Sequence, residues 1–190
     1  MRLTEARIPP VTDATATEAQ AAVLKPMADR GSPVLNVFRT VANEPEAAKA
    51  FLAWGGYILS KKNGVEARER EIAILRTGYL CKSGYEWTQH VPIGQRAGLT
   101  DAEITAIKVG PDDPSWSELD SLILQATDEL FQDKFIADAT WTGLAKHFSH
   151  KQLMDLVFTV GQYTQVSMFL NSFGVQLDPG QTLDPDLKGF

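Results

Sequence analysis

A single cysteine in 190 residues rules out an intramolecular disulfide and any zinc site built from several thiolates. No stretch reaches the ~18 uninterrupted apolar residues of a membrane span, and Met1-Arg2-Leu3-Thr4-Glu5 opens no apolar run of secretory-signal length. A reducing, cytoplasmic setting is therefore expected. Basic residues are outnumbered 18 to 24, a net charge of -6, so neither a nucleic-acid surface nor one for anionic membranes is expected. The phosphate-cradling glycine loop and the dinucleotide fingerprint are also missing. Glu86 and His90 alone fall short of the three protein ligands a catalytic zinc needs, and His147 and His150 lie far off in sequence, so no metal and no cofactor is expected. A small-molecule substrate and protein partners remain.

What is present is helical punctuation. Apolar residues make up 44% and charged residues 22%, the balance of a globular chain, and a domain of this length buries roughly 70% of its unfolded surface. One domain over 1–190 is expected, with extended arms at about 1–14 and 175–190. Thr15-Ala16-Thr17-Glu18, Thr100-Asp101-Ala102-Glu103 and Ser149-His150-Lys151-Gln152 read as capping boxes. Asn43 with Pro45 predicts a helix start, giving a helix from about 45 to 60, followed by others at about 66–80 and 84–97 with Gly98 as a stop. Pro92 predicts a kink or break just after His90. Ser117 predicts a helix to about Lys134, Thr140 one to about Phe148, and Ser149 one to Phe173, closed by Gly174. With no strictly alternating run, the expected class is all-α. The helix-interior glycines Gly55, Gly56 and Gly161 suggest close helix packing, since each costs about 1 kcal/mol against alanine.

The chemistry concentrates between Arg70 and Leu99. On a helix, Ser83, Glu86 and His90 stack on one face, joining a hydroxyl, a carboxylate and an imidazole. Glu71 lies far enough upstream for its own helix to fold back and bring a second carboxylate alongside. Such a group suits proton transfer. The alternative is an i,i+4 Glu-His pair on a solvated face, contributing about 0.2–0.5 kcal/mol.

Arg68-Glu69-Arg70-Glu71-Ile72-Ala73-Ile74-Leu75-Arg76, Tyr85-Glu86-Trp87, His90 and Arg96-Ala97-Gly98-Leu99-Thr100 together resemble the carboxymuconolactone decarboxylase family of the alkylhydroperoxidase D superfamily. The likeness continues through Asp138-Ala139-Thr140-Trp141, Leu156 to Tyr163 and Leu170 to Val175, and omits only the first dozen and last fifteen or so residues. The superfamily pattern is a glutamate, eleven residues, Cys-x-x-Cys, three residues and a histidine. Glu71 and His90 match it, and Ser83 and Glu86 stand where the thiols would be. Serine and glutamate cannot cycle through a disulfide, so the peroxidase branch is not expected. Cys81, two residues upstream of the first thiol position, reads as a packed small hydrophobe.

The resemblance implies an alkylhydroperoxidase D-like helical domain assembled as a homo-oligomer. It also implies a cofactor-independent lyase of the carboxymuconolactone decarboxylase type, acting by acid-base chemistry on a small lactone, enol or oxidised aromatic-derived acid. An isomerase, dehydratase or hydrolase using the same residues is an alternative, as is a noncatalytic oligomeric binding protein. The candidate catalytic residues are His90, Glu86 and Glu71, the last either reacting directly or orienting the imidazole. Ser83, Arg76, Trp87 and Tyr163 are candidates for substrate binding. For Ser83, capping of the motif helix is the simpler alternative, and Arg39 is an alternative holder of a substrate carboxylate. Gln162, Tyr163 and Asn171 either line the pocket or join helices in a polar network. Phe51, Trp54 and Phe169 are candidates for contact between subunits.

Overall fold

The computed structural model describes residues 3–31 and 33–188, and within them the regular structure is entirely helical. In chain order the helices are α1 (Glu18–Ala28), α2 (Asn36–Val41), α3 (Pro45–Ile58), α4 (Ala67–Leu80), α5 (Gly84–Arg96), α6 (Asp101–Val109), α7 (Glu118–Asp133), α8 (Asp138–Leu144) and α9 (His150–Phe173). A single 3-10 turn, Pro185–Leu187, follows. No helix among the described residues is long and apolar enough to cross a membrane.

Most helix starts follow local chemistry. Thr100 and Ser149 form reciprocal capping boxes with Glu103 and Gln152, and the Ser117 hydroxyl accepts from the Asp120 amide. Three expected starts move. The first box is Thr17 with Gln20, not Thr15 with Glu18; Glu44 rather than Asn43 caps α3; and α8 opens at Asp138, two residues before Thr140. Lys134 and Gly174 close α7 and α9 in the left-handed conformation. The short α2 has no capping signal in the sequence.

The organising element is α4. Every residue from Glu71 to Gly78 is buried, so this helix is covered on all sides, by α5, α7 and α9. Ile72, Ala73 and Leu75 join Trp87, Ile107, Ile123, Leu124, Leu153 and Leu156 in the main apolar core. Close approach of α4 and α5 rests on two glycines, one on each. A Cβ at Gly78 would sit 3.3 Å from Glu86 Cγ, and one at Gly94 would meet Leu99 at 3.0 Å and Leu75 at 3.3 Å. The glycines expected to serve close packing do not do so. Gly56 and Gly161 face open space, and a Cβ at Gly55 would meet only Gln162, at 3.7 Å.

Pro92 breaks nothing, for α5 continues through it to Arg96. Proline forfeits only its own amide bond, and packing on α4 holds the turn together. The described terminal segments lie back on their own chain, while residues 1–2 and 189–190 of the expected arms fall outside the described residues. The amides of Arg7 and Ile8 donate to the Phe173 carbonyl, and that of Val11 to the Arg39 carbonyl. At the other end the Asp178 carboxylate accepts from the Tyr85 hydroxyl (2.7 Å), Gln89 (2.7 Å) and the Asn36 amide (2.8 Å), which pins the segment across α5.

Candidate active site

Three helices bring the polar groups together. Glu71 comes from the middle of α4, Glu86 and His90 from successive turns of α5, and Tyr163 from α9. His90 Nδ1 is hydrogen-bonded to Glu71 Oε2 at 2.7 Å, and His90 Nε2 lies 3.0 Å from Glu86 Oε1. The imidazole is thus held between two carboxylates. Its ring meets Tyr163 edge-on, with centroids 4.9 Å apart and an interplanar angle of 84°.

All three ionisable groups are buried, at 2% exposure for Glu71, 4% for Glu86 and 6% for His90, which removes the solvated-face reading of the Glu86-His90 pair. Burial opposes the imidazolium and is the largest single influence on it. The charges and hydrogen bonds of Glu71 and Glu86 together outweigh it, and the His90 pKa is pushed up to about 10 from the ordinary 6.5. The site therefore stores a proton on His90 at neutral pH. Tyr163 stays neutral, its phenol raised well above the ordinary tyrosine value by burial and then by the two carboxylates. The triad thus sets two carboxyl groups against a single imidazole.

Glu71 faces Nδ1, on the opposite edge of the ring from Glu86. A carboxylate there fixes the orientation of the imidazole and raises its basicity, leaving the Nε2 edge and Glu86 as the side that can exchange protons. Ser83 occupies the N-cap position of α5, but its side chain caps nothing. Its Oγ is sealed from solvent with no hydrogen-bond partner among the described residues.

Two of the expected binding residues are committed elsewhere. Arg76 Nε and Nη2 grip the Asp128 carboxylate at 2.6 and 2.7 Å, while Nη1 donates to the Ile107 and Lys108 carbonyls at the end of α6. Five residues past Glu71 on a helix is about 140° further round, so Arg76 belongs to the α6 and α7 side of α4. Trp87, one residue past Glu86, turns into the main core and packs against Tyr79. Arg39 is likewise engaged, with Asp13 and the Val34 and Val11 carbonyls. Asn171 joins helices, donating to the Cys81 carbonyl at 2.9 Å. Cys81 is the C-cap of α4 rather than part of α5.

Residues 45–112 match the model of the carboxymuconolactone decarboxylase family. Among solved structures, an uncharacterised peroxidase-related alkylhydroperoxidase AhpD core protein from Ralstonia eutropha superposes with a TM-score of 0.80 at 18% identity, over 92% of this chain and 93% of that one. The fold is alkylhydroperoxidase D-like. A cysteine-to-alanine variant of the debrominase Bmp8, solved in complex with 2,3,4-tribromopyrrole, gives a TM-score of 0.75 at 12% identity, over 93% and 94% of the two chains. A putative antioxidant defence protein AhpD from Agrobacterium tumefaciens, of unknown function, gives 0.66 at 22% identity over 72% and 93%. At these identities the structural likenesses establish the fold alone. No curated protein matches the chain. The superfamily spacing was readable from the sequence. The notches at Gly78 and Gly94 were not, because a glycine's use depends on which helix arrives opposite it.

Proposed function

We propose that this chain is a single-domain, cofactor-independent enzyme of the carboxymuconolactone decarboxylase type. It acts by acid-base chemistry on a small lactone, enol or oxidised aromatic-derived acid. The observation that carries the reading is the buried imidazole between two carboxylates, one of which, Glu86, stands where the superfamily's redox branch keeps a thiol. Glu86 substitutes for one of those thiols and puts a proton-transfer group where a sulfur would act. His90 is the proton store, Glu71 the residue that orients it, and Glu86 the shuttle.

In a decarboxylation of this type the bond to the leaving carboxylate breaks and carbon dioxide departs. The electron pair spreads through the conjugated lactone to its oxygen, and one proton is then added at carbon. The imidazolium of His90 answers the oxyanion as it develops, and Glu86 relays the proton. Burial strengthens both effects, because water does not screen them. Ser83, with its hydroxyl unused by the protein, is suited to a substrate oxygen, and the Tyr163 ring to a flat substrate face. Bmp8 was solved with a flat five-membered ring bound, the size class proposed here.

The test is a panel of unsaturated lactone acids and oxidised aromatic acids, followed by mass spectrometry for loss of carbon dioxide, with His90→Ala beside the wild type. Loss of 44 mass units (the mass of carbon dioxide), about a hundredfold slower in the variant, supports the reading. Conversion without mass loss moves it to the isomerase, dehydratase or hydrolase alternative, and turnover that ignores His90→Ala ends it.

A further inference from the structure

A site that sets two carboxyl groups around one imidazole is a poor host for an anionic acid unless a cation stands beside it. The arginines expected to serve, Arg76 and Arg39, are committed to Asp128 and Asp13. Arg68, half-buried, is held by Asp120 and Glu103. Arg70 is different. It too is half-buried, yet it makes no ion pair among the described residues, although Glu66 and Glu69 are close in sequence. Its Nη1 donates to the Val65 carbonyl at 3.1 Å, and its Nε is shut off from solvent with no hydrogen-bond partner. A guanidinium N–H held out of water with no acceptor is costly unless something anionic completes it.

Its register on α4 says where that anion would sit. Ile74, one turn on and on the same face, packs with Ile58 and Tyr163. The Arg70 side of α4 therefore faces Tyr163, whose ring lies against His90. The charge of Arg70 is felt at the Tyr163 phenol, where it opposes the effects of Glu86 and Glu71.

We infer that Arg70 is the anion anchor of this site, binding through its guanidinium a carboxylate that the substrate keeps throughout the reaction, with Tyr163 between that anchor and His90. The retained carboxylate is the right partner for it. A guanidinium on the leaving carboxylate would stabilise the ground state more than a transition state whose charge has moved into the ring. The inference rests on the acid-base reading for what happens at His90 and on Arg70 alone for the preference for acids.

Calorimetric titration with furan-2-carboxylate and its neutral amide, furan-2-carboxamide, tests it in the wild type, Arg70→Gln and Arg70→Lys. The wild type should bind the acid at least about tenfold more tightly than the amide, as a charge-assisted hydrogen bond implies. Arg70→Gln should abolish that preference without weakening the amide, and Arg70→Lys should restore part of it. Melting curves establish that each variant is folded. If Arg70→Gln does not fold, the Lys variant and the wild-type preference for acid over amide decide the matter. Equal binding of acid and amide by the wild type, no binding of the acid, or a preference that survives in a folded Arg70→Gln overturns the inference. A preference lost in Arg70→Gln while His90→Ala retains full turnover would uphold the anchor and reject the acid-base reading, so the two fail separately.

Discussion

His90 Nδ1 and Glu71 Oε2 stand 2.7 Å apart although 19 residues separate them in the chain, and their bond ties α5 to the buried middle of α4. The electrostatics make this tie pH-dependent. The folded state holds the His90 proton up to about pH 10, whereas the unfolded chain releases it near 6.5. Between those values the folded state binds more protons, so stability falls as pH rises. The stabilisation is complete below about 6.5 and disappears through about 10. Urea unfolding from pH 6 to 10.5 should show this decline in the wild type and a much flatter profile in His90→Gln. Parallel profiles would mean that His90 is not held protonated.

Glu86 and His90 are expected to act as one unit, with Glu86→Gln and His90→Ala each lowering turnover by about a hundredfold or more. The double variant should lose little beyond the worse single one, because either change empties the same proton path. Losses that multiply would separate the two roles.

Arg76 carries a structural expectation in place of a binding one. Arg76→Ala strands Asp128, a mostly buried carboxylate, and should destabilise the fold by about 3 kcal/mol. Turnover per folded molecule, measured at a temperature where the variant is intact, should stay near normal. A raised KM at full stability would return Arg76 to the substrate.

Cys81→Ser should retain activity, and the wild type should show no thiol-dependent peroxide turnover. The superfamily's thiol positions hold Ser83 and Glu86, and the chain has no second cysteine to resolve a sulfenic acid at Cys81. Peroxide consumption measured with a dithiol reductant checks this directly, and robust consumption would put the chemistry on sulfur.

A homo-oligomer is the proposed assembly, and α3 and α9 offer a face for it. Trp54 and Met168 are 40% and 61% exposed, and a groove lined by Phe51, Met168, Phe169 and Phe173 runs beside them, away from His90. Sedimentation at micromolar concentration should give a species heavier than the 20.9 kDa chain, and Met168→Glu should shift it toward that mass. A wild-type monomer would remove the proposal.

Local rules carried much of this protein. Helix caps at Thr100, Ser117 and Ser149, the Gly174 stop and the one-turn spacing of Glu86 and His90 depend only on neighbouring residues, and the sequence determined them. It could not say which arginine serves the site. Because α4 is buried all round, its sequence shows no polar face to separate Arg70 from Arg76. Only the arrival of α6 and α7 commits Arg76 to Asp128 and two carbonyls, and only α9 sets Tyr163 over the Arg70 side. The same holds for Trp87, drawn into the core one residue from Glu86, and for Gly78 and Gly94, whose missing side chains matter because α4 and α5 meet there. Local structure follows from a few adjacent residues, whereas a partner across the core is chosen by packing among helices distant in the chain.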